Sequence, residues 1–84
     1  MEPWMIKLTE EIKAVVGDKK LPHYQTVILP QIIADFHGML KKASVNDRVE
    51  EEYCMEDGSM KILLCGTKDK TGKCSITSAA VQRG

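Results

Sequence analysis

The chain lacks the features that mark several large classes of protein. Among its 84 residues, no apolar run approaches the roughly 20 residues that a membrane-spanning helix needs. No basic stretch followed by an apolar one precedes the first patterned segment, as it would in a secretory signal. Internal repeats and low-complexity segments are absent as well. We therefore expect one small domain, residues 1–84, that has no membrane contact and is not exported.

Cysteine is scarce and lacks the spacing of a disulfide or zinc framework. The chain has 3 cysteines, Cys54, Cys65 and Cys74, and no C-x-x-C pair. An odd number with this spacing favours free thiols in a reducing compartment, so we predict a cytoplasmic location. Structural zinc sites need about four converging Cys or His ligands, and the strand pattern described below separates these cysteines. We expect no metal and no other cofactor.

Aromatic residues and net charge are also scarce. Aromatics make up 5% of the chain, and 12 basic residues balance 12 acidic ones. Domains that bind nucleic acid usually have net positive charge or exposed stacking aromatics, which argues against that function class. The charges are nevertheless segregated, because the segment 47–57 is acidic and the segment 58–84 is basic. Pairing between strands of opposite charge explains this segregation.

A helical pattern occupies the first part of the chain. Pro3 suits the first turn of a helix, and Gly17 suits the position just past its end. Apolar residues recur between them at steps of three and four. This spacing predicts a helix over about residues 3–16. A short strand over residues 4–8, followed by a later helix start, is the alternative.

A second helical pattern follows a polar connection. Apolar residues at strict four-residue steps predict a helix over about residues 23–43. Pro30 lies inside this pattern, so we expect either a kink there or a helix that begins there. The β-branched residues in 24–29 leave a strand as the alternative for that stretch.

The apolar period then changes to two, which is typical of half-buried strands. Two alternating runs predict strands over about residues 48–56 and 59–67, and the Asp-Gly pair between them indicates a hairpin with a two-residue turn. In this register Met55 faces Met60 and one face of the hairpin is almost entirely apolar. We expect that face to lie on the core.

The segment from Gly66 to Lys73 can be interpreted in two ways. It resembles the longer-spaced G-x5-G-K-S/T loop of the dethiobiotin synthetase type of P-loop protein, and that resemblance implies a nucleotide-binding enzyme. Cys74, however, stands where the family has the hydroxyl that holds magnesium, and a thiol does not suit that ion. The same residues also suit a hairpin in which Gly72 occupies the left-handed position of a bulged turn. We favour the hairpin.

The hairpin interpretation adds a third strand over about residues 73–81, with a helix over 73–82 as the alternative. Simple alternation from the turn places Ile76, Ser78 and Ala80 on the core face. The predicted fold is α+β: two N-terminal helices followed by a three-stranded antiparallel β-meander, in the order ααβββ.

The face of the sheet away from the core is the main candidate for function. In the predicted register it carries a weakly charged patch, which an oligomeric partner or another protein would cover unless the two helices pack on opposite faces. No catalytic constellation accompanies it, since His37 has no serine or cysteine at helical contact spacing. We therefore predict a binding or regulatory protein that is a homodimer or binds another protein, and is not an enzyme. The predicted interface residues are Leu63, Cys65, Thr77, Ala79 and Val81.

The basic tip of the second hairpin is an alternative site. Lys68, Lys70 and Lys73 cluster there and would suit nucleic acid or another anion. Because the net charge is zero and the aromatics lie at core positions, a solvated turn is the simpler interpretation of these lysines.

Overall fold

The computed structural model describes residues 2–84 and has the α+β architecture that the sequence predicts. A helical segment is followed by a three-stranded antiparallel sheet in the order β1-β2-β3. No helix within residues 2–84 is both long enough and apolar enough to cross a membrane. The elements are α1 (Pro3–His23), a π-helical turn (Tyr24–Ile28), α2 (Leu29–Lys42), β1 (Arg48–Met55), β2 (Met60–Lys68) and β3 (Cys74–Arg83).

The helical segment runs without a loop through residues 18–22, where the sequence predicts a polar connection between helices at about 3–16 and 23–43. One helical segment therefore replaces the two predicted helices. The physical reason lies at Gly17, whose φ of 82° and ψ of 174° are not helical. A glycine adopts these angles without steric cost, so a single residue turns the chain and no separate loop is needed.

The bend at Gly17 folds the helical segment back on itself. A straight helix of this length would extend about 60 Å, whereas the longest dimension of the molecule is 41 Å. Met5 and Leu29 line the same narrow cleft, so the helical stretches before and after the bend lie side by side. We refer to residues 3–16 as the first arm and to residues 18–42 as the second arm.

Pro30 is accommodated by a widened helical turn. The N–H of Leu29 is donated to the carbonyl of Tyr24, five residues earlier, which is a π-helical hydrogen bond. α2 begins at Leu29, so Pro30 lies in its first turn. Because proline lacks an N–H and its ring clashes with the preceding turn of a regular helix, the wider turn relieves both problems. Neither outcome predicted for Pro30 is the one observed, because helical structure continues through residues 18–42 and no non-helical residue marks a kink at Pro30 or a helix start there.

β1 and β2 pair in the register that the alternating pattern predicts. Met55 lies opposite Met60 and Tyr53 lies opposite Ile62. The loop between them differs from the predicted two-residue turn, because Glu56–Gly58 form a short 3-10 turn in which all three residues have positive φ. The register survives this change, because residues 56–59 still connect Met55 to Met60 and a one-residue slip would turn the apolar face away from the core.

The connection between β2 and β3 is the bulged turn that the sequence predicts. Gly72 has a φ of 88°, and its N–H is donated to the carbonyl of Asp69 at 3.0 Å. The N–H of Asp69 is donated in turn to the carbonyl of Lys73 at 2.9 Å. Residues 74–83 form a strand, so the helical alternative for this stretch is wrong.

A β-bulge at Thr77 changes the facing of the rest of β3. Gly66 pairs with Ile76, whereas the preceding residue, Cys65, pairs with Ser78. Thr77 is therefore an extra residue without an opposite partner. Because side chains alternate between the two faces, one extra residue exchanges the faces beyond it.

The predicted facing of four residues in β3 is therefore wrong. Ala79, predicted to point outward, is only 5% exposed and belongs to the core, and Val81 packs against that core. Ser78 and Ala80, predicted to point inward, take their places on the other face. Ile76 precedes the bulge and keeps its predicted position in the core.

One core lies between the helical segment and a single face of the sheet, which we call the inner face. The first arm contacts β3, where Arg83 donates a hydrogen bond to the carbonyl of Ala14, and the second arm lies against all three strands. The arrangement in which the helices cover opposite faces is therefore not the one adopted. The buried core residues are Leu8, Ile12, Tyr24, Leu29, Ile32, Phe36, Leu40, Met60, Ile62, Leu64, Ile76 and Ala79.

Candidate protein-binding surface

The face of the sheet opposite the core, which we call the outer face, has no helix packed on it within residues 2–84. Strand pairing arranges its side chains in rows that run across the sheet from β1 through β2 to β3. The three central rows are Glu50, Cys65 and Ser78; Glu52, Leu63 and Ala80; and Cys54, Lys61 and Gln82.

Part of the predicted interface lies on this face and part does not. Leu63 and Cys65 are on it, half-buried, and Thr77 is exposed at the bulge. Ala79 and Val81 are turned toward the core by that bulge. The sequence carries little signal for this shift, because the stretch from Ser75 to Ala80 contains mostly small residues and one face cannot be told from the other by alternation.

The outer face is uneven in height. β1 presents long side chains, including Glu50 and Glu52, whereas β3 presents only the short side chains of Ser78 and Ala80 at its centre. Lys7 of the first arm stands beyond β3 as a second rim. The result is a groove of about 720 Å³ whose floor lies over β2 and β3.

The charges on this face are partly paired within the chain. Arg48 lies 2.9 Å from the Glu50 carboxylate, and Lys61 lies 3.7 Å from that of Glu52. Both pairs are exposed, and such pairs contribute little to stability. Lys7 forms no ion pair with a carboxylate within residues 2–84, and its ammonium group places a positive charge on the rim beyond β3.

The three cysteines are free thiols on two sides of the sheet. Cys54 is exposed on the outer face, and Cys74 packs against the core on the inner face. Cys65 is half-buried on the outer face and accepts a hydrogen bond from Arg48 Nε at 3.1 Å. This bond, followed by the nearby Glu50, raises the pKa of Arg48. The side chains of Cys65 and Arg48 are thus in contact on the outer face.

The basic hairpin tip does not present three free lysines. Lys68 Nζ donates hydrogen bonds to the carbonyls of Lys41 at 2.7 Å and Ala43 at 3.0 Å. These carbonyls belong to the end of α2, where a cation is favoured by the unpaired acceptors and the helix dipole. Lys70 and Lys73 remain exposed, so the anion-binding prediction keeps two of its three residues.

An acidic side chain organises the same tip. Asp69 Oδ1 accepts hydrogen bonds from the N–H groups of Thr71 at 2.9 Å and Lys73 at 3.0 Å, and from the Thr71 hydroxyl at 2.6 Å. The Thr71 hydroxyl, followed by the Lys73 N–H, holds the pKa of Asp69 below its ordinary value. Two N–H groups that a phosphate loop would offer are thus bound to a carboxylate of the chain itself.

Gly66, the first glycine of the P-loop-like stretch, is explained by packing. A Cβ at this position would lie 2.9 Å from Cε2 of Phe36 and 2.8 Å from the carbonyl oxygen of Ser75. Glycine is required because the second arm approaches β2 closely here. Together with Asp69, this close approach favours a structural hairpin over a phosphate-binding loop.

Two contacts that sequence reasoning missed fasten the sheet to the helical segment. Glu56 accepts hydrogen bonds from the Tyr24 hydroxyl at 2.7 Å and from Lys20 at 2.5 Å. Burial, and then the bond to Glu56, raise the pKa of Tyr24 to about 12, while the bond from Lys20 comes first among the effects that lower the pKa of Glu56. Tyr53 donates its hydroxyl to Asp35 at 2.8 Å. No local pattern could have revealed these partners, which are 32 and 18 residues apart.

No other constellation within residues 2–84 suggests a different site. No group of three or more His, Cys, Asp or Glu side chains in that range is arranged to hold a metal ion. No family model matches the chain, and no curated protein or solved structure matches it either.

Proposed function

We propose that this is a small binding protein, without catalytic activity, that acts through protein contacts on the outer face and forms a homodimer. The observation that carries the proposal is that both helical arms pack on the inner face, so that within residues 2–84 no layer covers the opposite face of the sheet. Sheets in folded domains usually bury an apolar face against another layer. A cytoplasmic location belongs to the same proposal and is supported by the three free thiols.

The make-up of the outer face supports a protein partner. Leu63, Cys65 and Ala80 form an uncharged centre, and charged side chains such as Glu50 and Lys61 surround it. Protein interfaces commonly have such a centre, depleted in charge and enclosed by a polar rim. A catalytic site would instead need a nucleophile or base aligned with its partners.

Replacement of one central residue tests the proposal. We expect Leu63→Asp to abolish self-association, because it places a carboxylate at the middle of the contact, where it would be desolvated without a partner. Sedimentation velocity over a series of protein concentrations measures this loss. Val45→Asp is the matched control, since Val45 is a 49% exposed apolar residue outside the outer face, and it should leave association unchanged.

Two results would refute the proposal. One is a wild-type protein that stays monomeric at every concentration and binds no other protein through the outer face. The other is a Leu63→Asp variant that associates as strongly as the wild type while keeping its midpoint in urea. The unfolding midpoint of each variant has to be measured, so that loss of the fold is not mistaken for loss of the contact.

Binding of nucleic acid or another anion at the hairpin tip is a second proposal, supported by the exposure of Lys70 and Lys73. Such binding would weaken as salt rises, because displaced counterions drive it. Titration of a fluorescent oligonucleotide at several salt concentrations, with Ala at both lysines as the comparison, tests it. Affinity that ignores both salt and the two substitutions would contradict it.

A further inference from the structure

We infer that two copies pack outer face to outer face around a twofold axis that runs parallel to β2, so that β1 of one copy lies over β3 of the other. This inference rests on the proposed function and adds the identity and orientation of the partner. Strands of the two sheets would then run in nearly the same direction, as in aligned sheet packing.

Symmetry leaves two simple ways to stack this sheet on a copy of itself. An axis parallel to the strands places β1 over β3 of the partner and keeps β2 over β2. An axis in the sheet plane but perpendicular to the strands places each strand over its own copy, running in the opposite direction. The side chains of the outer face distinguish these arrangements.

The heights of the side chains favour the parallel axis. Two of the three central rows, from Glu52 to Ala80 and from Glu50 to Ser78, are tall on β1 and short on β3, whereas the row from Cys54 to Gln82, nearer one end of the sheet, has the opposite order. With the parallel axis, the long side chains of one copy enter the groove above the short side chains of the other. With the perpendicular axis, tall side chains meet tall ones and two grooves face each other, leaving voids that packed interfaces avoid.

The charges favour the same choice. With the parallel axis, Glu50 and Glu52 of one copy approach the rim beyond the partner's β3, where Lys7 carries a positive charge and forms no ion pair within residues 2–84. With the perpendicular axis, the carboxylates of one β1 lie over those of the other, and like charges at close range repel. Lys61 would face its own copy across the parallel axis, but it lies toward one end of the sheet and leans toward Glu52.

The size of the face predicts a weak association. Three strands of about eight residues form a face about 14 Å wide and about 26 Å long, well below the area of a standard interface, which buries about 800 Å² on each partner. We therefore expect dimers at micromolar or higher protein concentrations.

The axis along β2 makes Cys65 a reporter of the arrangement, because each Cys65 would face its own copy. Stacked sheets lie about 10 Å apart, which is too far between Cα atoms for a disulfide, but two inward-pointing thiols would be within about 6 Å. Each Cys54 would instead lie over Gln82 of the other copy. Its distance from the second Cys54 would be about twice as great.

Crosslinking of single-cysteine variants tests this geometry. A bifunctional thiol reagent with a spacer of about 6 Å is applied to Cys54→Ser/Cys74→Ser, which keeps Cys65, and to Cys65→Ser/Cys74→Ser, which keeps Cys54. We expect covalent dimers from the first variant only. The yield should rise with protein concentration and vanish when Leu63→Asp is added.

Charge reversal supplies an independent test. Lys7→Glu and Glu52→Lys should each weaken self-association about three- to tenfold, since twofold symmetry removes two exposed ion pairs at once. The double variant should recover most of the loss because the pair is restored in reverse. Lys70→Glu, a reversal of the same size at the hairpin tip, should have no such effect.

The outcomes separate this inference from the proposed function. A dimer that Leu63→Asp dissociates, but that crosslinks through Cys54 and not Cys65, would overturn the parallel axis and leave the function standing. A double variant no better than either single one would overturn it as well. A protein that is monomeric at every concentration would overturn the homodimer altogether.

Discussion

Gly66→Ala tests the close contact between the second arm and the centre of the sheet. Gly66 has an ordinary backbone conformation, so an added methyl group would not strain φ. It would instead meet the carbonyl oxygen of Ser75 at 2.8 Å, Cε2 of Phe36 at 2.9 Å and Cδ1 of Leu40 at 3.0 Å. One of these neighbours is backbone and the other two lie in the core, so none can move freely.

The magnitude follows from two opposed effects. Forcing an extra methyl group into a packed core costs about 1 to 3 kcal/mol, whereas replacing glycine within a strand by alanine would otherwise stabilise the fold by about 0.5 to 1 kcal/mol. Because all three neighbours would lie at 3.0 Å or less, the cost falls in the upper part of that range, and we expect a net loss of about 1 to 2 kcal/mol in the free energy of unfolding. In a domain of this size that loss lowers the melting temperature by roughly 4 to 16 °C.

Gly38→Ala is the matched control. Gly38 lies within α2, and a Cβ there would have no heavy atom within 4 Å. The same chemical change should therefore stabilise the protein by about 0.5 to 1 kcal/mol. Urea unfolding followed by circular dichroism measures both variants, and the slope of the transition shows whether unfolding stays two-state.

The opposite order of stability would refute the packing argument. If Gly66→Ala unfolded at the wild-type urea midpoint or above it, the close contacts of Gly66 would not hold the second arm against β2. If the same variant also lost affinity for a nucleotide that the wild type binds, the glycine would serve a phosphate loop after all. The result thus decides between the two interpretations of this stretch of sequence.

Three further predictions concern the polar contacts around the sheet. Lys68→Met should lower the free energy of unfolding by about 1 kcal/mol, because the last carbonyls of α2 lose their cation. Lys70→Met should change it little, and urea unfolding of both variants tests this. In the folded protein the pKa of Tyr24 is raised to about 12, and burial followed by the bond to Asp35 also raises the pKa of Tyr53, so Tyr24→Phe should remove the earlier of two late steps in an absorbance titration. The stability that Tyr24 contributes is complete below pH 10 and is lost as pH rises toward 12. The lowered pKa of Glu56 acts in the opposite direction. The stability that Glu56 contributes is present above the ordinary carboxyl pKa and is lost as pH falls through the lowered one. Glu56→Gln should therefore flatten the acid limb of a plot of stability against pH, and an unchanged limb would contradict this.

Local patterns in the sequence determined the elements and the first strand pair. The alternation of apolar residues in Val49–Met55 and Met60–Leu64 determines which face of each strand is buried, and with the short connection between them the strands pair in the predicted register. Gly72 was predictable for a similar reason, because the bulged turn needs a residue at positive φ. Such signals are local, so they can be read without knowing what packs where.

The positions of the helical stretches were predictable from the sequence, but the way they connect was not. The apolar spacing identified the helical stretches, yet the loop expected after Gly17 does not exist. The polar residues there suit an exposed helix as well as a loop, and only the packing of the two arms on one face decides between them. Lys68 is a similar case, because its acceptors at the end of α2 lie 27 and 25 residues away in the chain.

The candidate surface was decided by tertiary structure. Leu63 and Cys65 could be placed on the outer face from alternation alone, because β2 is strongly patterned. In β3, the small residues from Ser75 to Ala80 satisfy either register almost equally, so the sequence left the choice open. Burial of Ala79 in the core, on the strand that the first arm contacts, accompanies the bulge at Thr77. The sequence by itself determined that a sheet with one apolar face would form; long-range packing decided which short side chains line the groove on its other face.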